Sequence, residues 1–338
     1  MSENWNGIVV RSTLSEQGTV PRSASATSPD IVLAGSSPFP DPGFLTDPGN
    51  YGNVYDNGLY IGMPNYLYVR GQNGTQDALS GTWNMFWGTP NILLYPYLWE
   101  SNAIATSSGD LDPGFAIGPG SIGTTTDPFT WVAPDISDHY CLIAIANTPG
   151  HGNPLAGVSD IASLAAALSL NANVAQRNVQ LIGGSLPEVA FQSGYDQGAE
   201  AAFVDLVVNF ENIPAGSSYT ISSGTPLNGQ ALSYGDANTI DNNFSSGWVD
   251  LDIPAQWNTV FTCVITFGND WSGIPAGQKP TVTIRADLLQ ESGQSLHHLA
   301  SELPRHPHTG QRRLDRSGGP MLAVTAGSFG IICPDLGP

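Results

Sequence analysis

Lysine is nearly missing from this 338-residue sequence: Lys279 stands alone beside nine arginines and 29 acidic residues, for a formal charge of −19. Charged residues amount to 12% of the chain, about half of the roughly 25% usual in globular proteins. Such a negative field excludes a protein that tracks phosphate backbones, so no nucleic acid is expected as partner. It also works against anionic membrane surfaces. It favours solubility, and beyond that basic partners or cations. Long apolar runs are lacking too. No stretch reaches the roughly 20 residues needed to span a bilayer, and the longest apolar helix candidate, Ile161 to Leu170, is half that. Met1-Ser2-Glu3-Asn4-Trp5 lacks the basic region and apolar run of a secretory signal. The expectation is synthesis in the cytoplasm without a classical signal peptide. A surface rich in Asn, Ser, Thr and Gly also suits an extracellular or particle setting reached by another route.

Cysteine is scarce, and its three copies, Cys141, Cys263 and Cys333, sit inside apolar strand-like runs. An odd count without close spacing argues against a disulfide framework or a zinc site; one cross-sandwich pair stays open. Alternation places Cys263 with Phe261, Ile265 and Phe267, and Cys141 with Ile143 and Ile145, as small apolar groups. Nucleophile elbows, phosphate loops, zinc-protease helices and dinucleotide fingerprints are all missing. Gly327-Ser328-Phe329-Gly330 lacks the elbow spacing and lies in a strand-like run.

Turn residues are what the sequence has in abundance. With 39 Gly and 26 Pro, turns must be frequent and long helices few. Residues 14–30 read as an extended arm, and residues 36–57, with Pro38, Pro40, Pro42 and Pro48, as a long irregular loop. Loops of this length are often functional or disordered. Strands are expected at Asn65–Arg70, Thr82–Trp87, Phe129–Val132 and His139–Ala146, with an apolar stretch at Asn91–Trp99 broken by Pro96. One helix is predicted, with Ser159 as cap, Asp160 in the first turn and an apolar stripe of Ile161, Leu164, Ala165 and Leu168. Gly183-Gly184 then marks a boundary.

The second half repeats this grammar at Val189–Gln192, Phe203–Phe210, Tyr219–Ser222, Trp248–Ile253, Thr259–Phe267 and Thr281–Leu288. In the last, Val282, Ile284, Ala286 and Leu288 face inward. Residues 291–320 form a polar excursion holding four of the six histidines and Arg305, Arg312, Arg313 and Arg316, with a short helix at Leu296 to Leu303. An apolar strand from Met321 to Cys333 closes the chain.

Four pieces of the first half stand in fixed order: Pro29-Asp30-Ile31-Val32-Leu33, Asn65-Tyr66-Leu67-Tyr68-Val69-Arg70, His139-Tyr140-Cys141-Leu142-Ile143-Ala144-Ile145 and Val174-Ala175-Gln176-Arg177-Asn178-Val179-Gln180-Leu181-Ile182. With the tryptophan strand at Trp83 and Trp87 they resemble an immunoglobulin-like domain of the CARDB type, common in bacterial surface and secreted proteins. The resemblance covers residues 28–182 and implies adhesion, spacing or assembly, with no catalytic residues to carry over. The organisation that follows is all-β: an N-terminal arm at 1–27, an immunoglobulin-like antiparallel β-sandwich with one short helix at 28–183, and a second β-sandwich at 184–338.

Candidate sites are few. Aromatic residues crowd one region, and a sandwich core cannot bury both faces of every strand, so Tyr66, Tyr68, Trp83, Trp87, Tyr97 and Trp99 are the candidates for an exposed glycan-stacking or protein-binding platform; a covering second layer is the alternative. Asp110 with Asp112, and Asp236 with Asp241, offer oxygen ligands for Ca²⁺ without the spacing of an EF-hand, and turns rich in Asp and Asn explain them equally. His306 and His308 share a face if extended and could chelate a metal. No other cofactor is indicated. The expected function is non-catalytic: a structural or binding protein acting through protein–protein contacts or self-assembly. The alternative is a carbohydrate- or cell-surface-binding module, of the kind associated with toxins, using the aromatic region.

Overall fold

Alternating apolar residues between turn signals produce the expected class. In a computed structural model, strand makes up 48% of the chain and helix 7%, and every pairing between named strands is antiparallel. The structure describes residues 3–23, 25–134, 139–180, 188–236, 243–275, 278–291, 294–303, 313–315 and 317–332. Among the described residues no helix is long and apolar enough to cross a membrane.

Two compact units are distinguished. The first comprises Met1–Thr89, Leu94–Val158 and Ala167–Ile182. Its strands are β1 (Glu3–Asn4), β2 (Ile8–Val9), β3 (Thr19–Val20), β4 (Ile31–Gly35), β5 (Pro64–Asn73), β6 (Leu79–Gly88), β7 (Gly114–Ile117), β8 (Ile122–Thr124), β9 (Phe129–Val132), β10 (His139–Asn147) and β11 (Val174–Gln180). One sheet runs β11-β10-β6-β7, and the other gathers β2, β4, β8 and β9 on the long strand β5. Their facing sides share one core: Ile31, Leu33, Leu67 and Val69 meet Trp83, Met85, Tyr140, Leu142 and Ala144, all buried. The N-terminal segment expected as an arm carries β1–β3, buries Trp5 and Val10 and pairs β2 with β5. His151, in its turn, packs its ring 4.3 Å from that of Trp5.

Helix α1 (Ile161–Leu170) has the expected bounds, but its cap is Asp160 rather than Ser159. The Asp160 carboxylate accepts from the Ser163 backbone N–H at 2.8 Å, as a residue at the N-cap does. The Asn171 amide closes the other end on the Ala167 carbonyl. The apolar run Asn91–Trp99 forms no strand. Pro96 lacks an amide hydrogen and fixes φ, which suits the start of a short 3-10 turn (Pro96–Leu98) instead.

The second unit comprises Pro90–Leu93, Ser159–Ala166 and Gly183–Pro338, so the first part of α1 is grouped with it. Its strands are β12 (Glu188–Asp196), β13 (Ala202–Glu211), β14 (Ser218–Ser223), β15 (Ser233–Asp236), β16 (Asn243–Ile253), β17 (Asn258–Thr266), β18 (Thr281–Gln290), β19 (Ser301–Glu302) and β20 (Leu322–Ile332). They form the sheets β12-β17-β14-β15 and β16-β13-β18-β20-β19. Ring pairs join the two: Phe210 with Tyr219 at 4.5 Å and Trp248 with Phe261 at 5.6 Å. Gly247 of β16, paired with Val207 of β13, stands at φ 140°, where a Cβ would lie 2.0 Å from the Leu206 carbonyl oxygen, so only glycine fits there. The bulge lies beyond it, between Trp248 and Leu251, with Asp250 at φ 56°.

The excursion differs from its expected form. The described part of Leu296–Leu303 makes turns and then the strand β19 against β20, not a helix. Arg313 docks onto β13, donating to the buried carboxylate of Asp205 and to Asp250. Burial pushes the Asp205 carboxyl up from its usual value, against the pull of its bonds from Arg313.

Two outcomes follow. Trp83, fully buried, anchors the first core, and Trp83→Ala should cost about 3–5 kcal/mol in urea denaturation; a loss near zero contradicts that packing. Burial lowers the His151 pKa below 6.5. The unfolded chain then binds a proton there before the folded chain does. Stability should therefore fall as pH drops from 6.5 through the depressed folded pKa. Thermal melts of His151→Gln should lack that part of the decline.

Candidate binding surface

Asp30, at the entry to β4, has no exposed surface, and its carboxylate is the hub of the first unit. Arg11 donates to it from the backbone N–H at 2.8 Å and from the guanidinium at 3.0 and 2.6 Å. Arg70 of β5 adds a bond at 2.9 Å and the Tyr51 hydroxyl one at 3.2 Å. The Arg11 guanidinium carbon lies 3.5 Å from the centre of the Tyr51 ring, and that of Arg70 lies 5.1 Å from it. Burial works against the Arg11 cation, but the bonds to Asp30 outweigh it and raise its pKa. Burial and the neighbouring Asp30 charge push the Tyr51 phenol up, keeping it a neutral donor.

One carboxylate cannot satisfy two guanidiniums, and the remaining N–H groups go to the backbone of the loop at 36–57. Arg70 donates to the Asn50, Tyr51 and Asn53 carbonyls at 3.1, 3.3 and 2.7 Å, and Arg11 to Tyr51 at 2.8 Å. Arg177 of β11 reaches the Tyr55 carbonyl at 3.2 Å and the Asp56 carboxylate at 2.8 Å. Burial lowers the Arg177 pKa, against the pull of Asp56. Two short 3-10 turns, Pro42–Thr46 and Pro48–Asn50, are capped by the carboxylates of Asp41 and Asp47. The loop packs Phe39, Phe44 and Leu45 over Val32 and Tyr68, with the Phe39 and Tyr68 rings stacked at 5.4 Å.

The loop is therefore a second layer over Tyr68, while Trp83 lies in the core between the sheets and Trp99 packs on Phe86. Tyr68, Trp83 and Trp99 are buried and cannot serve as stacking platforms. Trp87 and Tyr66 are half-buried, the former 5.7 Å from Tyr140 and 6.0 Å from Trp131. Tyr97 alone of the six is exposed, stacked on Tyr95 at 5.4 Å. The six do not converge on one surface.

Beyond the loop the chain makes a tight turn at 60–65. Asn65 is fully buried, and its amide donates to the carbonyls of Tyr60, Met63 and Trp131 at 2.9, 3.1 and 3.3 Å. Its oxygen accepts from the Tyr60 backbone N–H at 2.7 Å. This lock holds Ile61 and Met63 outward, 42% and 49% exposed. Pro64, next along, pairs with Val132 of β9, itself 53% exposed. Three large apolar side chains are thus displayed on rigid backbone. No motif in the sequence marked them; the one local signal is an apolar pair flanking Gly62, followed by Pro64.

The metal candidates do not gather. Asp110 accepts from the Asp112 backbone N–H at 2.9 Å, a local turn, and Asp112 accepts from the Asn84 amide. Asp236 lies in β15; Asp241, His306 and His308 lie outside the described residues, as does Cys333. Among the described residues no three of His, Cys, Asp and Glu stand together.

Removing the hub leaves two buried guanidiniums unpaired. Asp30→Ala should lower the unfolding free energy by about 3–5 kcal/mol and expose the loop at 36–57 to limited proteolysis. A variant whose loop resists cleavage as the parent does contradicts this account.

No protein-family model matches the sequence, and no curated protein matches it. Among solved structures there is similarity to red sea bream transglutaminase, at 8% identity and a TM-score of 0.21, over 68% of this chain and 27% of that one. An allantoicase matches at 12% identity and a TM-score of 0.18, over 60% of this chain and 78% of that one. An oxalate decarboxylase matches at 8% and 0.11, over 62% and 74%. The chain spans about a quarter of the transglutaminase's length, and scores this low leave the assignment to the chain's own chemistry.

Proposed function

We propose that the chain is a non-catalytic structural or binding protein that acts through protein–protein contacts, with the turn at Ile61–Met63 and the neighbouring Val132 as its contact surface. The observation that carries this reading is the exposure of Ile61, Met63 and Val132 on a turn locked by the buried Asn65. Apolar groups grouped on a soluble surface mark contact sites. A rigid backbone beneath them lowers the ordering cost of association. The loop pinned by Arg11, Arg70 and Arg177 supplies a second preorganised surface. The immunoglobulin-like resemblance, with its implied adhesion or assembly role, supports the same reading.

Charge supports it as well. Arg11, Arg22, Arg70, Arg177 and Arg313 are drawn into buried or nearly buried ion pairs. Among the described residues the other lysine and arginine side chains are the exposed Lys279 and the partly exposed Arg285, the latter paired with Asp287. Copies of so acidic a surface repel one another except where charge is absent, as at Ile61 and Met63.

Light scattering coupled to size exclusion, over a roughly hundredfold concentration range, tests the reading. Self-assembly predicts a mass that grows with concentration and returns to the monomer in the Ile61→Asp/Met63→Asp variant, with salt needed to suppress repulsion. A strict monomer at every concentration overturns self-assembly. Capture of a protein partner that is undiminished in the variant overturns the surface.

A further inference from the structure

A second surface, in the other unit, has different chemistry. The register of β13 sets Asn209 opposite Ser245 of β16 and Thr283 of β18, and Glu211 opposite Asn243 and Thr281. Directly opposed residues share a face of the sheet, so these six make two adjoining polar rows. Phe210, between them in sequence, points to the other face and is 1% exposed. Asn209, Glu211, Asn243 and Ser245 border a depression of about 440 Å³, within the 300–1,000 Å³ range typical of small-ligand sites.

The hydrogen-bond inventory of this face is incomplete in a directed way. The Ser245 hydroxyl donates to Asn209 Oδ1 at 2.7 Å, which fixes the amide and leaves Asn209 Nδ2 without an acceptor among the described residues. The Asn212 backbone N–H, from a residue at φ 54°, donates to Asn243 Oδ1 at 3.2 Å and leaves Asn243 Nδ2 in the same state. The Glu211 carboxylate is exposed and accepts no hydrogen bond among the described residues. Two oriented amide donors and one anionic acceptor thus border a single depression.

A ligand hydroxyl accepts from an amide and donates to a carboxylate at once, so vicinal hydroxyls complete this set. An anionic ligand would meet Glu211 and the acidic surface. An apolar ligand would leave the amides and the carboxylate stripped of water. We propose that the face formed by Asn209, Glu211, Asn243 and Ser245 binds a neutral saccharide. The proposal is independent of the contact surface in the first unit, and either can fail without the other.

Saturation-transfer NMR on the full chain tests it, with gluco-, manno- and galacto-oligosaccharides as neutral probes and a sialylated oligosaccharide as the charged one. Transfer to at least one neutral probe is expected, with affinity at least tenfold weaker in both Asn209→Ala and Glu211→Ala and unchanged in Tyr97→Ala. Glu211→Gln, which keeps the shape, should admit the sialylated probe that the parent rejects. Absence of transfer to every neutral probe overturns the proposal. So does binding that survives in Asn209→Ala/Glu211→Ala, or that is lost only in Tyr97→Ala. Equal binding of the sialylated probe by the parent overturns the neutral class. Glu211 is exposed and Asn209 half-buried, so the Glu211 variants should melt unchanged and Asn209→Ala only slightly lower.

Discussion

A single buried carboxylate holds the first unit in register. Asp30 receives Arg11 from the N-terminal segment, Arg70 from β5 and the Tyr51 hydroxyl from the loop, so three stretches far apart in sequence meet at one charge. Taking ions out of water is costly, and replacing a whole buried cluster by apolar groups is often neutral or stabilising. The return here is geometric. A guanidinium presents a fixed fork of donors, and Arg70 cannot satisfy its own without the loop carbonyls at Asn50, Tyr51 and Asn53. The ion cluster needs the loop, and the loop gains from it a polar anchorage beside its aromatic packing on Tyr68 and its backbone bonds to Leu33.

That dependence explains which parts of the structure were legible in the sequence. β5, β6, β17 and β18 are legible from alternation, because burial of one face imposes a period of two. β9, β10, β13 and β20 are legible instead as apolar runs between turn signals, β10 being buried on both faces. β7, β8 and β15 were missed; at three or four residues they are too short to show a period. The segment Asn91–Trp99 has strand-like composition, but Pro96 turns it aside into a 3-10 turn. Loop 36–57 could be read as irregular from its prolines, but not as ordered, since its anchors lie at residues 11, 70 and 177. Among the polar members of the resembling pieces, Asp30, Arg70 and Arg177 belong to this anchorage, and Asn65 locks the turn that follows the loop. Their spacing carried fold information that composition alone did not.

The candidate site was less legible for a related reason. Aromatic density left open an exposed platform or rings covered by a second layer, and composition could not assign each ring: Phe39 and Phe44 of the loop cover Tyr68, while Phe115 and Phe86 of neighbouring strands pack on Trp83 and Trp99. Exposure of Ile61 and Met63 depends on the three carbonyls that Asn65 collects, one of them 66 residues away. Likewise the polar face of the second unit depends on cross-strand register, which brings Glu211 beside Asn243 through the unbroken pairing of β13 with β16 from Leu206 and Trp248 onward.

Where the loop returns to β4 by backbone bonds to Leu33, its Asp56 carboxylate pairs with Arg177, which follows it by 121 residues. Synthesis therefore delivers the whole loop, with Arg11, Asp30 and Arg70, well before the last cation that closes it. The loop is in this sense completed last: a fragment that ends short of β11 holds every one of its residues and most of its anchors, but not the cation that pairs with Asp56.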